Sequence, residues 1–279
     1  MTGLAIRTRG LVHVYRAEGH DVAALSGVDL DVAAGETIGL LGPSGSGKST
    51  LMSLLAGVFR PSAGKVFVGD VEVSAAPPRD LDRLRATEVG LMLQGAARNL
   101  LPNTTPDDNV RFAQHLARRA GRTLAEPRDV LAEVGLEAYA DRPLGELTPG
   151  ALQLAAVAVA ISTRPGLLLC DEPTSQLDHA ARDQVLAALA RVNATHGTTV
   201  VLVTHDPDVA RVLPRTVTIR DGRIGGEGRS GEEYAVVTAD GFLPLLGLAR
   251  DRLPPGTLVR LHEVGDHFEL RAEAQEVDP

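Results

Sequence analysis

The chain has 279 residues, a formal net charge of −8 and a single cysteine, Cys170. That length allows one or two domains with a substantial core. The acidic balance gives no steering toward nucleic acid or anionic lipid, and one cysteine excludes an internal disulfide and fits a reducing compartment. No apolar run reaches the ~18 residues of a membrane span, and Met1 to Gly10 lacks the continuous apolar stretch of a signal peptide. The expectation is a cytosolic protein whose membrane association comes only through a partner.

Residues 4–35 alternate apolar and polar side chains, with Gly19, Gly27 and Gly35 as expected turns, and read as a small antiparallel sheet. Thr37-Ile38-Gly39-Leu40-Leu41 reads as a short strand and Leu51 to Ala56 as a helix. Between them, Gly42-Pro43-Ser44-Gly45-Ser46-Gly47-Lys48-Ser49-Thr50 fills every position of the phosphate-loop pattern G-x-x-x-x-G-K-[ST]. Glycines let such a loop curl until successive N–H groups face a triphosphate, and the following helix N-terminus adds positive potential. Lys48 is placed to reach the β- and γ-phosphates and the Ser49 hydroxyl to hold Mg²⁺. With strand and helix both in place, the loop predicts binding of a nucleoside triphosphate.

From Thr37 onward strands and helices alternate, which predicts a parallel sheet covered by helices. Lys65 to Val68 and Val71 to Val73 return to β character around a Gly69-Asp70 turn. From about 96 to 160, Ala and Leu dominate at helical spacing, interrupted by five prolines, and predict a helical insertion. Two apolar strands follow, Leu167 to Cys170 and Thr198 to Val203. The first ends in Asp171-Glu172. A buried strand ending in two carboxylates puts Asp171 near the Mg²⁺ that bridges the phosphates, and Glu172 where it polarises an attacking water. The same pair also suits a helix cap; the loop upstream favours catalysis. Gly225 to Gly231 reads as a linker, and the tail beyond it as a strand (Tyr234 to Thr238), an Asp240-Gly241 turn, a helix around Leu243–Leu253 and a hairpin over Thr257–Arg271.

On these residues the chain resembles the ATP-binding cassette (ABC) ATPases from about residue 4 to 226. The resemblance implies an α/β P-loop NTPase cassette with an antiparallel β subdomain and a helical subdomain, here with a small C-terminal α+β appendage. The expected domains are 1–226, a linker at 227–233 and a dimerising or regulatory domain at 234–279, whose element order resembles the AbrB-like swapped-hairpin modules. The resemblance also assigns roles. Tyr15 matches the aromatic that stacks on adenine, and Gln94 the glutamine that contacts Mg²⁺ and the attacking water. Asn99-Leu100-Leu101-Pro102 matches the segment abutting a membrane subunit, Asp178 a dimer contact, and His205 the switch histidine at the γ-phosphate.

One element departs from the family. Its signature, Leu-Ser-Gly-Gly-Gln, closes on the γ-phosphate held by a second subunit in a head-to-tail dimer; this chain has Leu147-Thr148-Pro149-Gly150-Ala151. Thr148 keeps a hydroxyl and Gly150 close backbone approach. Pro149 deletes an N–H donor, Ala151 removes the amide side chain, and Leu154 stands where the family usually carries Arg. A homodimer is therefore expected to hydrolyse slowly. Val22 to Val28, Asn99 to Pro102 and Gly197 to Pro207 look most like cassettes of macrolide exporters and lipoprotein-releasing complexes. The implied cofactors are ATP and Mg²⁺. The implied partners are an integral membrane permease and a second ATPase subunit, with no nucleic acid, at the inner face of the cell membrane. The competing reading is a soluble or regulatory ABC ATPase with slow hydrolysis and no transport role.

Overall fold

The computed structural model describes residues 3–17, 19–229, 232–237, 241, 243–245, 247–254 and 257–272. The alternating N-terminal segments form β1 (Ile6–Ala17) and β2 (His20–Val32), a long antiparallel hairpin. β3 (Thr37–Leu41) leads through the glycine loop into α1 (Lys48–Leu55). β4 (Ala63–Val68) and β5 (Val71–Glu72) complete a four-stranded sheet of order β2-β1-β4-β5. Gly27, expected at a turn, lies instead inside β2 at φ +79°, where Leu11 faces Val28 and Val12 faces Ser26. It is the extra residue of a β-bulge, a position where glycine removes the steric cost of positive φ.

α2 (Pro78–Thr87) and β6 (Val89–Met92) return the chain to the central sheet. The expected helical insertion is α3 (Pro106–Arg119), α4 (Pro127–Glu133) and α5 (Pro149–Ile161), with two short 3₁₀ turns between α4 and α5. Prolines open all three helices at the first position, where the missing N–H costs nothing. α5 is apolar on every side and is correspondingly buried among Val110, Val130, Leu131, Val185 and Leu189. β7 (Leu167–Asp171), α6 (His179–His196), β8 (Thr199–Val203), α7 (Pro207–Val212), β9 (Arg215–Arg220), β10 (Arg223–Arg229) and β11 (Glu232–Ala235) finish the cassette. The central sheet runs β11-β10-β9-β3-β8-β7-β6. Its members from β6 to β9 pair in parallel; β7 and β8 are near-continuous apolar runs buried on both faces, whereas β9 alternates polar and apolar residues.

The stretch expected to be a linker is largely ordered strand. β10 reaches Arg229 and pairs with β9 residue by residue from Gly226 onward. A side chain at Gly228 would put its Cβ 2.4 Å from Thr216 Oγ1, so this glycine allows close strand approach rather than flexibility. The chain divides into compact units at Tyr234/Ala235, eight residues beyond the expected end of the cassette. The second unit contains α8 (Gly247–Arg252) and the hairpin β12 (Val259–Val264) and β13 (His267–Ala272), which pairs from Val259↔Ala272 to Val264↔His267 as expected. α8 starts later than expected, at Gly247. Thr238, Asp240, Pro255 and Gly256 lie outside the described residues.

Candidate active site

Three neighbouring strands of the central sheet, β3, β8 and β7, end side by side, and each delivers a functional group at its carboxyl end. The glycine loop follows β3, His205 follows β8, and Asp171-Glu172 close β7. Ligands of parallel α/β sheets bind at this edge. A cleft of about 520 Å³ opens there, lined by Tyr15, the loop residues Ser44, Gly45, Gly47, Lys48, Ser49 and Thr50, and by Gln94, Asp171, Glu172 and His205.

The loop conformation depends on its glycines. Gly47 has φ +103°, and a Cβ there would lie 2.4 Å from the Ala24 carbonyl, a contact that seats β2 against the loop. Lys48 is buried, and its Nζ donates to the Gly42 and Pro43 carbonyls at 2.8 Å each and approaches Ser46 Oγ at 3.5 Å. Gly42, Pro43 and Ser46 therefore form the backing that holds the lysine rather than the cleft wall. Burial holds the Lys48 ammonium below its usual range, with Glu172 and Asp171 pulling the other way. Burial raises the Asp171 carboxyl; a hydrogen bond from the Ser49 hydroxyl opposes this, Glu172 adds to it, and Lys48 opposes it.

Glu172 adopts φ +51°, an uncommon region for a side chain of this type, and its N–H donates to the Val203 carbonyl at 3.0 Å. That bond fixes the residue one step past the strand end. Its carboxylate is 14 % exposed and lies 2.7 Å from Nδ1 of His205, which is 69 % exposed at the mouth of the cleft. Cys170, one residue upstream, is fully buried, and its thiol is pushed up to about 12, which makes it an inert part of the core.

The donors available for a metal are the Ser49 hydroxyl, the Asp171 carboxylate and the Gln94 amide. Among the described residues no group of three or more His, Cys, Asp or Glu forms a metal cluster. A single carboxylate with hydroxyl and amide oxygens fits a hard ion that takes its remaining ligands from phosphate and water, as Mg²⁺ does.

Thr148, Gly150 and Asp178 stand apart from this cleft and line a second one of about 660 Å³. Thr148 caps α5, its hydroxyl accepting from the Ala151 N–H at 3.3 Å, and Asp178 caps α6 by accepting from Ala181 at 2.8 Å. Gly150 abuts α6, where an added Cβ would lie 2.8 Å from the Ala181 Cβ. Leu154 joins the apolar cluster around α5. Two residues have supporting roles that the sequence reading did not assign. Asn99 accepts from the Leu93 N–H at 2.8 Å and donates to the Leu93 and Gly95 carbonyls, so it shapes the turn that presents Gln94. Buried Gln153 donates to the Pro173 carbonyl at 2.6 Å and ties α5 to the segment after Glu172. Asn99 had a local signal, an amide four residues after Gly95; Gln153 had none.

The ABC transporter family pattern matches residues 25–175, more than half of the chain. The chain belongs to that family. It is 38% identical to the lipoprotein-releasing system ATP-binding protein LolD 1 of Caulobacter vibrioides, over 78% of this chain and 94% of that protein. It is 41% identical to the methionine import ATP-binding protein MetN of the same organism, over 81% of this chain and 67% of that protein. The macrolide export ATP-binding/permease protein MacB of Rhodopirellula baltica is 37% identical over 80% of this chain, but the match spans only 33% of MacB. Among solved structures, the ATP-binding cassette MJ0796, in a dimeric post-hydrolysis state with ADP and Pi, superposes with TM-score 0.72 at 28% identity, over 80% of this chain and 98% of that one. The chain is thus an ABC cassette that binds and hydrolyses ATP, with the α/β architecture expected of one.

Proposed function

We propose that this cassette is the motor subunit of a transporter, cleaving MgATP in a head-to-tail dimer to drive a separate integral membrane permease. The observation that carries the chemistry is the 2.7 Å contact between Glu172 and His205 at the mouth of the cleft that contains Lys48, Ser49 and Asp171. In this reading Tyr15 stacks on the adenine, and the loop N–H groups with Lys48 hold the phosphates. Glu172 accepts the proton of the attacking water while His205 orients the carboxylate and contacts the γ-phosphate. Ser49, Asp171 and Gln94 would hold Mg²⁺, which when bound neutralises charge on the phosphate oxygens.

No described helix is long and apolar enough to cross a membrane; in this reading the permease is a separate chain and the cassette sits against the inner face of the membrane. The named relatives are ATP-binding proteins of lipoprotein release, methionine import and macrolide export, and they support a transport role without choosing a substrate. The exposed side chains Phe112 and Leu116, one turn apart on α3, support a partner on the helical subdomain.

The signature region favours a heterodimer. The Thr148 hydroxyl is engaged in capping and Pro149 has no N–H to offer. Each charge-assisted hydrogen bond missing from a γ-phosphate costs roughly 1.5–3 kcal/mol, so two copies of this chain make two weakly clamped sites. Purification of the full chain with its membrane partner, followed by ATPase assay of the parent and Glu172→Gln, tests the proposal. Turnover should vanish in the variant while ATP still drives dimerisation. Parental turnover in Glu172→Gln, or copurification with no membrane protein, would overturn it.

A further inference from the structure

Behind Tyr15 lies an aromatic cluster that the phosphate chemistry does not use. His13 and Tyr15 are two residues apart on β1 and share a face. Their rings meet edge-on at 4.7 Å and 85°. Phe59, just beyond α1, stacks on His13 at 5.9 Å and 12° and meets Tyr15 edge-on at 6.2 Å and 89°. His13 is only 9 % exposed, and its Nδ1 has no hydrogen-bond partner. The side-chain contacts that the structure gives this imidazole are its ring contacts with Tyr15 and Phe59.

The cluster is braced from both sides. Ser62 donates its N–H to the Val12 carbonyl at 2.8 Å, and its Oγ accepts from the Val14 N–H at 3.0 Å, so it brackets His13. The Phe59 N–H reaches the Ser53 carbonyl of α1 at 3.4 Å. The Tyr15 hydroxyl lies 3.1 Å from Thr50 Oγ1, two residues after Lys48. These contacts close a ring from β1 through Tyr15 and Thr50 into α1, and back through Phe59 and His13. Tyr15 remains open to the cleft on its free side.

We propose that His13 and Phe59 are positioning residues for the nucleobase: they lock the Tyr15 ring in its stacking orientation and tie it to the phosphate loop. The proposal rests on the reading of Tyr15 as the base platform. A pre-set aromatic ring spares the ordering cost that a mobile one meets on binding, so removal of the brace weakens recognition of the base and leaves recognition of the phosphates alone.

The test is calorimetric titration of the full chain with MgATP and, separately, with inorganic tripolyphosphate and Mg²⁺, for Tyr15→Ala, His13→Ala, Phe59→Ala and the ring-preserving His13→Phe. Phe59→Ala and His13→Ala should weaken MgATP binding roughly three- to tenfold, with tripolyphosphate affinity unchanged and His13→Phe close to the parent. Tyr15→Ala should lose roughly tenfold or more. If Tyr15→Ala binds MgATP as the parent does, the platform reading fails and the proposal with it. If Tyr15→Ala is weak while Phe59→Ala and His13→Ala bind normally, the platform stands and the proposal falls. An equal loss for both ligands would mark a merely structural brace and also overturn it. Should His13→Ala not fold, the partly exposed Phe59 position and His13→Phe decide alone.

Discussion

His205 Nδ1 lies 2.7 Å from the carboxylate of Glu172, a residue whose backbone is itself held in the left-handed region by a bond to Val203. Strain of that kind persists only where the surroundings over-determine it. In the proposed mechanism the histidine aims the proton-accepting oxygen of this carboxylate. Glu172→Gln should reduce kcat by roughly 10²–10⁴-fold, the usual contribution of a positioned general base. His205→Ala should cost less by itself, and the double variant should be no slower than Glu172→Gln, because groups acting as a unit are not additive. Steady-state ATPase rates of the three variants check this, and multiplicative losses would show that the two residues act independently.

The phosphate loop, the carboxylate strand and the histidine strand were legible because each is a contiguous run whose chemistry and local structure coincide. Five prolines at helix starts and loops made the helical insertion legible as well. What stayed hidden depends on contacts between distant segments. Phe59 meets His13 across 46 positions, and Gln153 reaches Pro173 across 20. Gly27 and Gly228 carry the same letter as a turn glycine, but one serves a bulge and the other a close strand approach, and only the pairing register tells them apart. Thr148 and Gly150 were readable as a retained hydroxyl and a close approach, yet their distance from the cleft in the same chain is a property of the fold.

Gly150 separates two explanations of a signature glycine. A Cβ at this position would lie 2.8 Å from that of Ala181, which has no flexible end to move aside. Overpacking of this kind costs about 1–3 kcal/mol, opposed by at most ~1 kcal/mol of helix propensity gained from Gly to Ala. Gly150→Ala should therefore be net destabilising in urea unfolding, and Gly150→Ala with Ala181→Gly should recover the midpoint. If the double variant recovers stability but not ATPase activity, the glycine also serves the phosphate; recovery of both assigns it to helix packing.

Pro149→Gly restores the one backbone N–H that the signature helix lacks relative to the family. A regained hydrogen bond to a charged phosphate contributes roughly 1.5–3 kcal/mol, and each 1.4 kcal/mol corresponds to about tenfold in rate. The loss of a pre-set φ at the first helical position takes back part of that. Homodimer turnover should rise roughly tenfold, measured at saturating ATP and at protein concentrations that populate the dimer. Unchanged turnover would mean that the proline does not limit closure.

Asp171 lies on both sides of the balance between stability and activity. Burial raises its carboxyl above the ordinary value of 3.8. The folded protein then binds this proton more tightly than the unfolded chain, so stability falls as pH rises from 3.8 through the raised value. Above that window the charged carboxylate is a standing cost, which Lys48 and the Ser49 hydrogen bond offset only in part. Asp171→Asn removes the charge, and without nucleotide or Mg²⁺ it should melt above the parent at neutral pH. The gain should shrink as the pH falls toward 3.8, where the parent is protonated too. Saturating MgATP should reverse the order, because a ligand at a hundred times its Kd stabilises by about 2.7 kcal/mol, and the variant has lost the carboxylate that would hold the metal. Thermal melts at two pH values, with and without MgATP, contain the whole test: the crossing of parent and variant identifies Asp171 as a group kept charged for the ligand at the expense of the empty fold. A variant less stable under every condition would mean that its interactions with Lys48 and Ser49 outweigh its burial.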